Sequence, residues 1–248
     1  MPFAPARHVE NLSDCIFYHS TDIPGYGTVN GQWDLRSGVE RYLGHFDFKA
    51  KRTLDVGTAS GFLTFHAESA GAEVISFDLS EEWPWDIVPF YGADFAEVDA
   101  ARRAIMRRVN NGYWLCHRAF RSRAKVVYGT VYDIPLSIGP VDVAVYGSIL
   151  LHLRDPFLAL QNGSRLARET VIVADVCPLG PFGRLLRNPW FLPRHGRSEK
   201  FDTWWGLPPR LIQEYLSILG FKYSKVFWHR QLFLGKKRWL YTVVARRR

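Results

Sequence analysis

Several residues in this chain have the type and spacing to do chemistry. Gly57 and Gly61 sit in the turn GTASG, which follows the apolar run Leu54–Val56. A buried strand that ends on such a turn brings its backbone close to a ligand, because glycine places no side chain in the way. After about twenty residues, the spacing of a nucleoside site, a second apolar run ends on an acid, Asp78. A carboxylate beside the turn can hold both hydroxyls of a ribose, so the pair predicts a nucleoside-containing cofactor. The plainer reading of Asp78 is a strand-end acid that caps the next turn. His152, in LLHLRDP, has the side chain for a general base near neutral pH; a histidine there can also orient its loop through a hydrogen bond.

What the turn lacks narrows the cofactor. Ala59 stands where a third glycine is usual, and Phe62 occupies the last position of a G-x-G-x-x-G fingerprint, which disfavours NAD and FAD. No G-x-x-x-x-G-K-[ST] is present, which speaks against a P-loop nucleotide.

These residues need strands and helices to position them. Met1 to about Gly31 reads as an irregular arm, and the apolar spacing of Leu35, Val39, Tyr42, Leu43 and Phe46 predicts a helix from about Asp34 to Phe46. Strands are expected at Arg52–Val56, Glu73–Asp78, Lys125–Tyr128, Val141–Tyr146 and Thr170–Asp175, with a helix from Gly61 to about Ser69 stopped near Gly71. A basic helix is expected from about Phe95 to Arg118, with Val98, Ala101, Ile105 and Val109 on one face and Arg103 and Arg107 towards another. Leu211–Leu219 reads as a helix, Phe221–His229 and Trp239–Ala245 as strands, and Gly235–Arg238 as the turn between them, which makes that pair antiparallel. The predicted fold is α/β: a Rossmann-like, doubly wound, mostly parallel sheet with helices on both faces and a C-terminal antiparallel hairpin on one edge.

The chain has 248 residues, 47% hydrophobic and 23% charged, enough for one large core. Its formal charge of +8 favours anionic partners. Cys15, Cys116 and Cys177 lie far apart with no metal-ligand spacing, which argues for free thiols in a reducing compartment. MPFAPARHVENL lacks the apolar stretch of a signal peptide and no segment approaches a membrane span, so a cytoplasmic protein without membrane contact is expected.

Four segments in order resemble the class I S-adenosylmethionine-dependent methyltransferases. LDVGTASG is similar to their first motif and EVISFDLS to the second strand with its ribose-binding acid. VVYGTVYDIP resembles the segment flanking the adenine, and VDVAVYGSILLHLRDP the fourth strand and following helix. The terminal hairpin completes the likeness, which covers roughly residues 52–245. The resemblance implies S-adenosyl-L-methionine as cofactor. It places Gly57, Thr58 and Ala59 around the methionine part, with Gly61 in the same turn and Asp55 bracing the loop. It assigns Asp78 to the ribose, Leu79 to the adenine face, Val131 and Tyr132 to the adenine edge, and Gly147 to the neighbourhood of the sulfonium.

The layout is also similar to bacterial tRNA wobble-uridine carboxymethyltransferases, in which a Trp upstream of the first motif touches the cofactor; Trp33 stands at the matching place. Their carboxylated donor is held by lysines upstream of that motif, and this chain has none before Lys49. An unpaired carboxylate there would be costly, so the ordinary donor and a different acceptor are expected.

On this reading residues 1–50 form an arm and helix over the cofactor site. Residues 51–248 form a methyltransferase domain with lid insertions at about 80–124 and 177–209. Both insertions leave the carboxyl ends of strands, where ligands bind in open α/β sheets. Trp83, Trp85, Tyr91, Trp190, Trp204 and Trp205 are their candidate pocket residues. The expected acceptor is a small aromatic or polar metabolite, methylated on oxygen or nitrogen by in-line displacement. Two alternatives stand beside it: a tRNA- or RNA-modifying methyltransferase, in which Arg103, Arg107, Arg118, Arg121, Arg123 and the terminal Arg246–Arg248 track phosphates, and a non-catalytic S-adenosylmethionine-binding regulator. The bland reading of the arginines is a solvated face.

Overall fold

The computed structural model describes residues 3–88, 92, 94–193 and 202–247. In chain order the elements are β1 (Thr21–Ile23), β2 (Gly27–Val29), β3 (Trp33–Asp34), α1 (Val39–Tyr42), β4 (Arg52–Val56), α2 (Phe62–Ser69), β5 (Glu73–Asp78), α3 (Phe95–Ala119) and β6 (Lys125–Tyr128). Then follow β7 (Val141–Gly147), α4 (Pro156–Ser164), β8 (Ala167–Val176), β9 (Trp190–Phe191), β10 (Trp205–Gly206), α5 (Pro209–Ile218), β11 (Tyr223–Phe233) and β12 (Lys236–Arg246).

Eight strands form the main sheet in the order β3-β11-β12-β8-β7-β4-β5-β6. The five from β8 to β6 run parallel; their apolar residues are buried on both faces, which is why they read as unbroken Val-, Ile- and Leu-rich runs. Chain order runs one way from β4 to β5 and β6, and the other way from β7 to β8. The β4–β7 junction is therefore a topological switch point, where the loops leaving the strand ends diverge and open a crevice. On one face Leu54, Val56, Ala144 and Tyr146 pack with Ala159, Leu160, Ile212 and Leu216 of α4 and α5. On the other, Val143, Val145, Ile172 and Ala174 pack with Tyr42, Leu63 and Ala67. The α/β reading of the sequence holds.

Four local readings are corrected. The arm is not irregular throughout, since β1 and β2 pair as a small antiparallel hairpin. The helix expected over 34–46 shrinks to α1, because Trp33 and Asp34 pair with Phe233 and Leu232 at the sheet edge and Gly44 ends the turn at φ +63°. The terminal hairpin turns at Leu234–Gly235, both at positive φ, and Lys236–Arg238 belong to β12; a two-residue turn with that twist matches the strands better than a four-residue loop. In α3 the buried residues are Met106, Val109, Asn110 and Tyr113–Cys116, whereas Ala101 and Ile105 are exposed. Its N-terminal half meets polar partners instead of a core: Arg102 pairs with Asp202 and Arg103 with Asp99. Among the described residues no helix is long and apolar enough to cross a membrane, and the three cysteines are buried and free.

Candidate cofactor and acceptor site

The turn after β4 is built by left-handed backbone. Gly57 has φ +78°, and a Cβ there would stand 2.5 Å from the Ile149 side chain, so both conformation and space require glycine. Ala59 takes φ +50° with its methyl group in place. What holds it there is Asp78: the Ala59 N–H donates to one carboxylate oxygen at 2.6 Å, and the Leu79 N–H donates to the other at 2.7 Å. Both readings of Asp78 meet in this geometry. It caps the turn, yet each oxygen keeps a second lone pair, and the side chain is only half-buried. Burial outweighs the two N–H bonds and raises its pKa to about 6, so it is mostly ionised at neutral pH.

Beneath the turn lies a buried polar chain. Asp55 accepts from the Thr64 hydroxyl at 2.8 Å, and Thr64 also meets Thr58 and Ser76, which meets Tyr113. Asp55 thus reaches the loop through α2. Thr58 turns its hydroxyl down into this chain, while its carbonyl accepts the Gly61 N–H at 2.9 Å. Burial raises the Asp55 pKa to about 6.

Gly147 ends β7 across the switch point. A Cβ there would lie 2.6 Å from the Leu63 side chain and 3.3 Å from the Tyr42 hydroxyl. Tyr42 is hydrogen-bonded to Ser148 at 3.0 Å. Gly61 caps α2 at φ +87°. The arm closes on the same loop: the Tyr18 N–H donates to Ser60 Oγ at 3.1 Å, and the Trp33 N–H donates to the Tyr18 carbonyl. Trp33 is buried against Phe233, with its indole facing the Tyr18 phenol.

Leu79 is half-buried beside Asp78. Val131 packs into the main core, and half-buried Tyr132 packs against that core. The Tyr132 hydroxyl is occupied, donating to Asp86 and accepting from the Asp155 N–H. Asp86 also binds the Arg154 side chain and accepts the Arg154 N–H at 2.7 Å, while its carbonyl accepts from the Trp204 indole at 2.9 Å. Trp205 donates to the Arg154 carbonyl. Asp86 therefore ties the two insertions to each other and to the loop after β7. Trp85 lies under the Arg102 guanidinium, Trp190 is half-buried in β9 and Trp83 is exposed. Tyr91 and Arg248 lie outside the described residues.

His152 is half-buried, with Nδ1 bonded to the Asp202 carbonyl. A carbonyl only accepts, so Nδ1 carries the proton and Nε2 keeps its lone pair. Burial lowers the pKa, so the ring is neutral near pH 7.

Sequence reasoning missed Tyr18, Tyr42, Asp86, Asp202 and Asp175. Asp175 follows the rule that found Asp78, an acid closing an apolar parallel strand, but no glycine turn stands beside it to draw attention.

No family model matches this sequence, and neither does any curated protein. Solved structures do. Magnesium protoporphyrin IX methyltransferase from Synechocystis PCC 6803, with bound SAH, superposes with a TM-score of 0.54 at 13% identity over 86% of this chain and 82% of the other. The N-terminal domain of EvdMO1, in the presence of SAH and D-fucose, gives 0.55 at 15% over 96% and 93%. A structure described as a putative S-adenosylmethionine-dependent methyltransferase from Listeria monocytogenes gives 0.51 at 14% over 86% and 99%. The chain has the methyltransferase Rossmann-like fold.

Proposed function

We propose that this chain is an S-adenosylmethionine-dependent methyltransferase whose acceptor is a small aromatic or polar molecule, methylated on oxygen or nitrogen. The observation that carries the reading is the left-handed Gly57–Ala59 turn pinned to Asp78 at the switch point of this fold. The residues fit the group: half-buried Asp78 stands at the strand end beside the turn and retains lone pairs for two ribose hydroxyls. When bound, the cofactor supplies an electrophilic methyl group on a sulfonium.

Gly57, Thr58, Ala59 and Gly61 would cradle its methionine part through backbone. Leu79, Val131 and Tyr132 would border the adenine, and Trp33, with the arm, would keep water out. Gly147 would lie near the sulfonium, held close to Leu63 and Tyr42 by its lack of a side chain. His152, anchored through Nδ1 to the Asp202 carbonyl, and the rim tied by Asp86 orient the acceptor. Calorimetry with S-adenosylmethionine and S-adenosylhomocysteine tests the reading: both are expected to bind, and binding of neither overturns it.

A further inference from the structure

Asp175 is 1% exposed at the carboxyl end of β8. One carboxyl oxygen accepts the Val176 N–H at 2.7 Å; the other, Oδ2, is buried and has no partner among the described residues. Asp175 lies one strand from the switch point, on the far side of β7. The Ser148 N–H, next to Gly147, donates to the Ala174 carbonyl at 2.8 Å, which sets the turn after β7 against this strand end. Tyr18 of the arm, Tyr42 of α1, Tyr241 of β12 and Cys177 beyond its own strand feel its charge, and among the described residues no cation offsets its burial. A buried acid without a cation or a second donor is unusual in a folded chain, and such groups cluster where a ligand completes them.

Building on the methyltransferase reading, we propose that Asp175 Oδ2 receives the acceptor, accepting a hydrogen bond from its neutral O–H or N–H and then taking that proton. In that step the acceptor's O–H or N–H bond breaks and the proton forms a bond to Oδ2. The bonding pair stays on the acceptor atom for the new bond to carbon, and the carbon–sulfur pair leaves on sulfur. Asp175 is then a catalytic residue, and the substrates are phenols, alcohols or amines. Carboxylic acids are excluded as acceptors: a carboxylate has no proton to give and would place a second negative group beside Asp175, with no cation to share among the described residues. Burial raises the Asp175 pKa to about 7, which suits a group that must be free to take a proton near neutrality.

The test uses the full chain with S-adenosylhomocysteine present and phenol, aniline and benzoate as probes, followed by ligand-detected NMR. Phenol and aniline are expected to bind roughly tenfold or more tighter than benzoate, and the discrimination against benzoate is expected to widen from pH 6 to pH 8 as Asp175 ionises. In Asp175→Asn, whose amide can donate to a carboxylate, the preference is expected to fall below about threefold. Equal binding of benzoate by the wild type overturns the proposal, as does unchanged selectivity in the variant or binding of no probe. The wild-type pH series stands alone should the variant misfold. Failure of S-adenosylhomocysteine to bind strikes instead at the methyltransferase reading, so the two failures are distinct.

Discussion

Ala59 and Asp78 lie 19 residues apart in the chain and are joined by a 2.6 Å hydrogen bond from the alanine N–H to the carboxylate. That bond closes the glycine turn onto the end of β5. It makes Asp78 both a part of the cradle and a candidate ligand of the ribose. Removing the charge while keeping the shape separates the roles. Asp78→Asn is expected to weaken S-adenosylhomocysteine binding about 10- to 100-fold, because charge-assisted hydrogen bonds contribute roughly 1.5–3 kcal/mol. Calorimetry checks this, and an affinity within a factor of about two of wild type would place the ribose elsewhere.

Gly57→Ala tests the cradle itself. The substitution forces an L-residue to φ +78° and drives its Cβ to 2.5 Å from Ile149. Strain and overpacking together are expected to cost about 1–3 kcal/mol, lowering Tm by roughly 2–4 °C per kcal/mol in a chain of this size. Gly25→Ala is the control, since Gly25 has φ +80° with nothing within 4 Å of a Cβ. It reports backbone strain alone, and the Gly57 variant is expected to melt lower.

The parallel strands were legible because burial on both faces writes itself into sequence as apolar runs, and β4, β5 and β6 begin and end where those runs do. The cradle was legible because Gly57 and Asp78 answer to a fixed spacing. Trp33 and Asp34 were not legible as a strand: two residues carry no period, and what fixes them is Phe233, distant in sequence. The buried face of α3 was hidden for a related reason. Ile105 and Ala101 fit a helical stripe, but Arg102 turns inward only because Asp202 and Trp85 await it from two other segments. Asp175 escaped notice because its meaning lies in a missing partner, and absence of a partner has no sequence signature.

The pH dependence of stability separates Asp175 from its neighbours. Its pKa is raised from 3.8 to about 7 by burial, so the folded protein binds this proton more tightly than the unfolded chain. Its favourable contribution is complete below pH 3.8 and is lost as pH rises through about 7. Asp175→Asn does not titrate, so the stability of the variant relative to wild type, read as the difference in Tm, is expected to increase from pH 5 to pH 8 by roughly 2.6 kcal/mol. Asp55 and Asp78, raised to about 6, act in the same direction, whereas His19 and His229, lowered to about 4, act in the opposite one. All four remain in both proteins and cancel in the difference. A flat difference between thermal melts at those pH values would mean that Asp175 is already ionised in the folded state at pH 5.

The positive charge leads to a last prediction, about RNA. A surface that tracks phosphates needs cations free to exchange their counterions. Much of the arginine around the candidate site is engaged within the protein: Arg7 with Glu81 at 2.8 Å, Arg102 with Asp202 at 3.0 Å, Arg103 with Asp99 at 2.6 Å, and Arg154 with Asp86. Cations already paired release few counterions on meeting a polyanion. Bulk tRNA incubated with the protein and S-adenosylmethionine labelled in the methyl group is therefore expected to take up no label above a control lacking protein. Any residual binding to tRNA is expected to be weak at physiological salt, with a dissociation constant of about 10⁻⁴–10⁻⁶ M. Label recovered in a single nucleoside would move the acceptor from metabolite to RNA and make exposed Arg107, Arg118 and Arg121 the residues to mutate next.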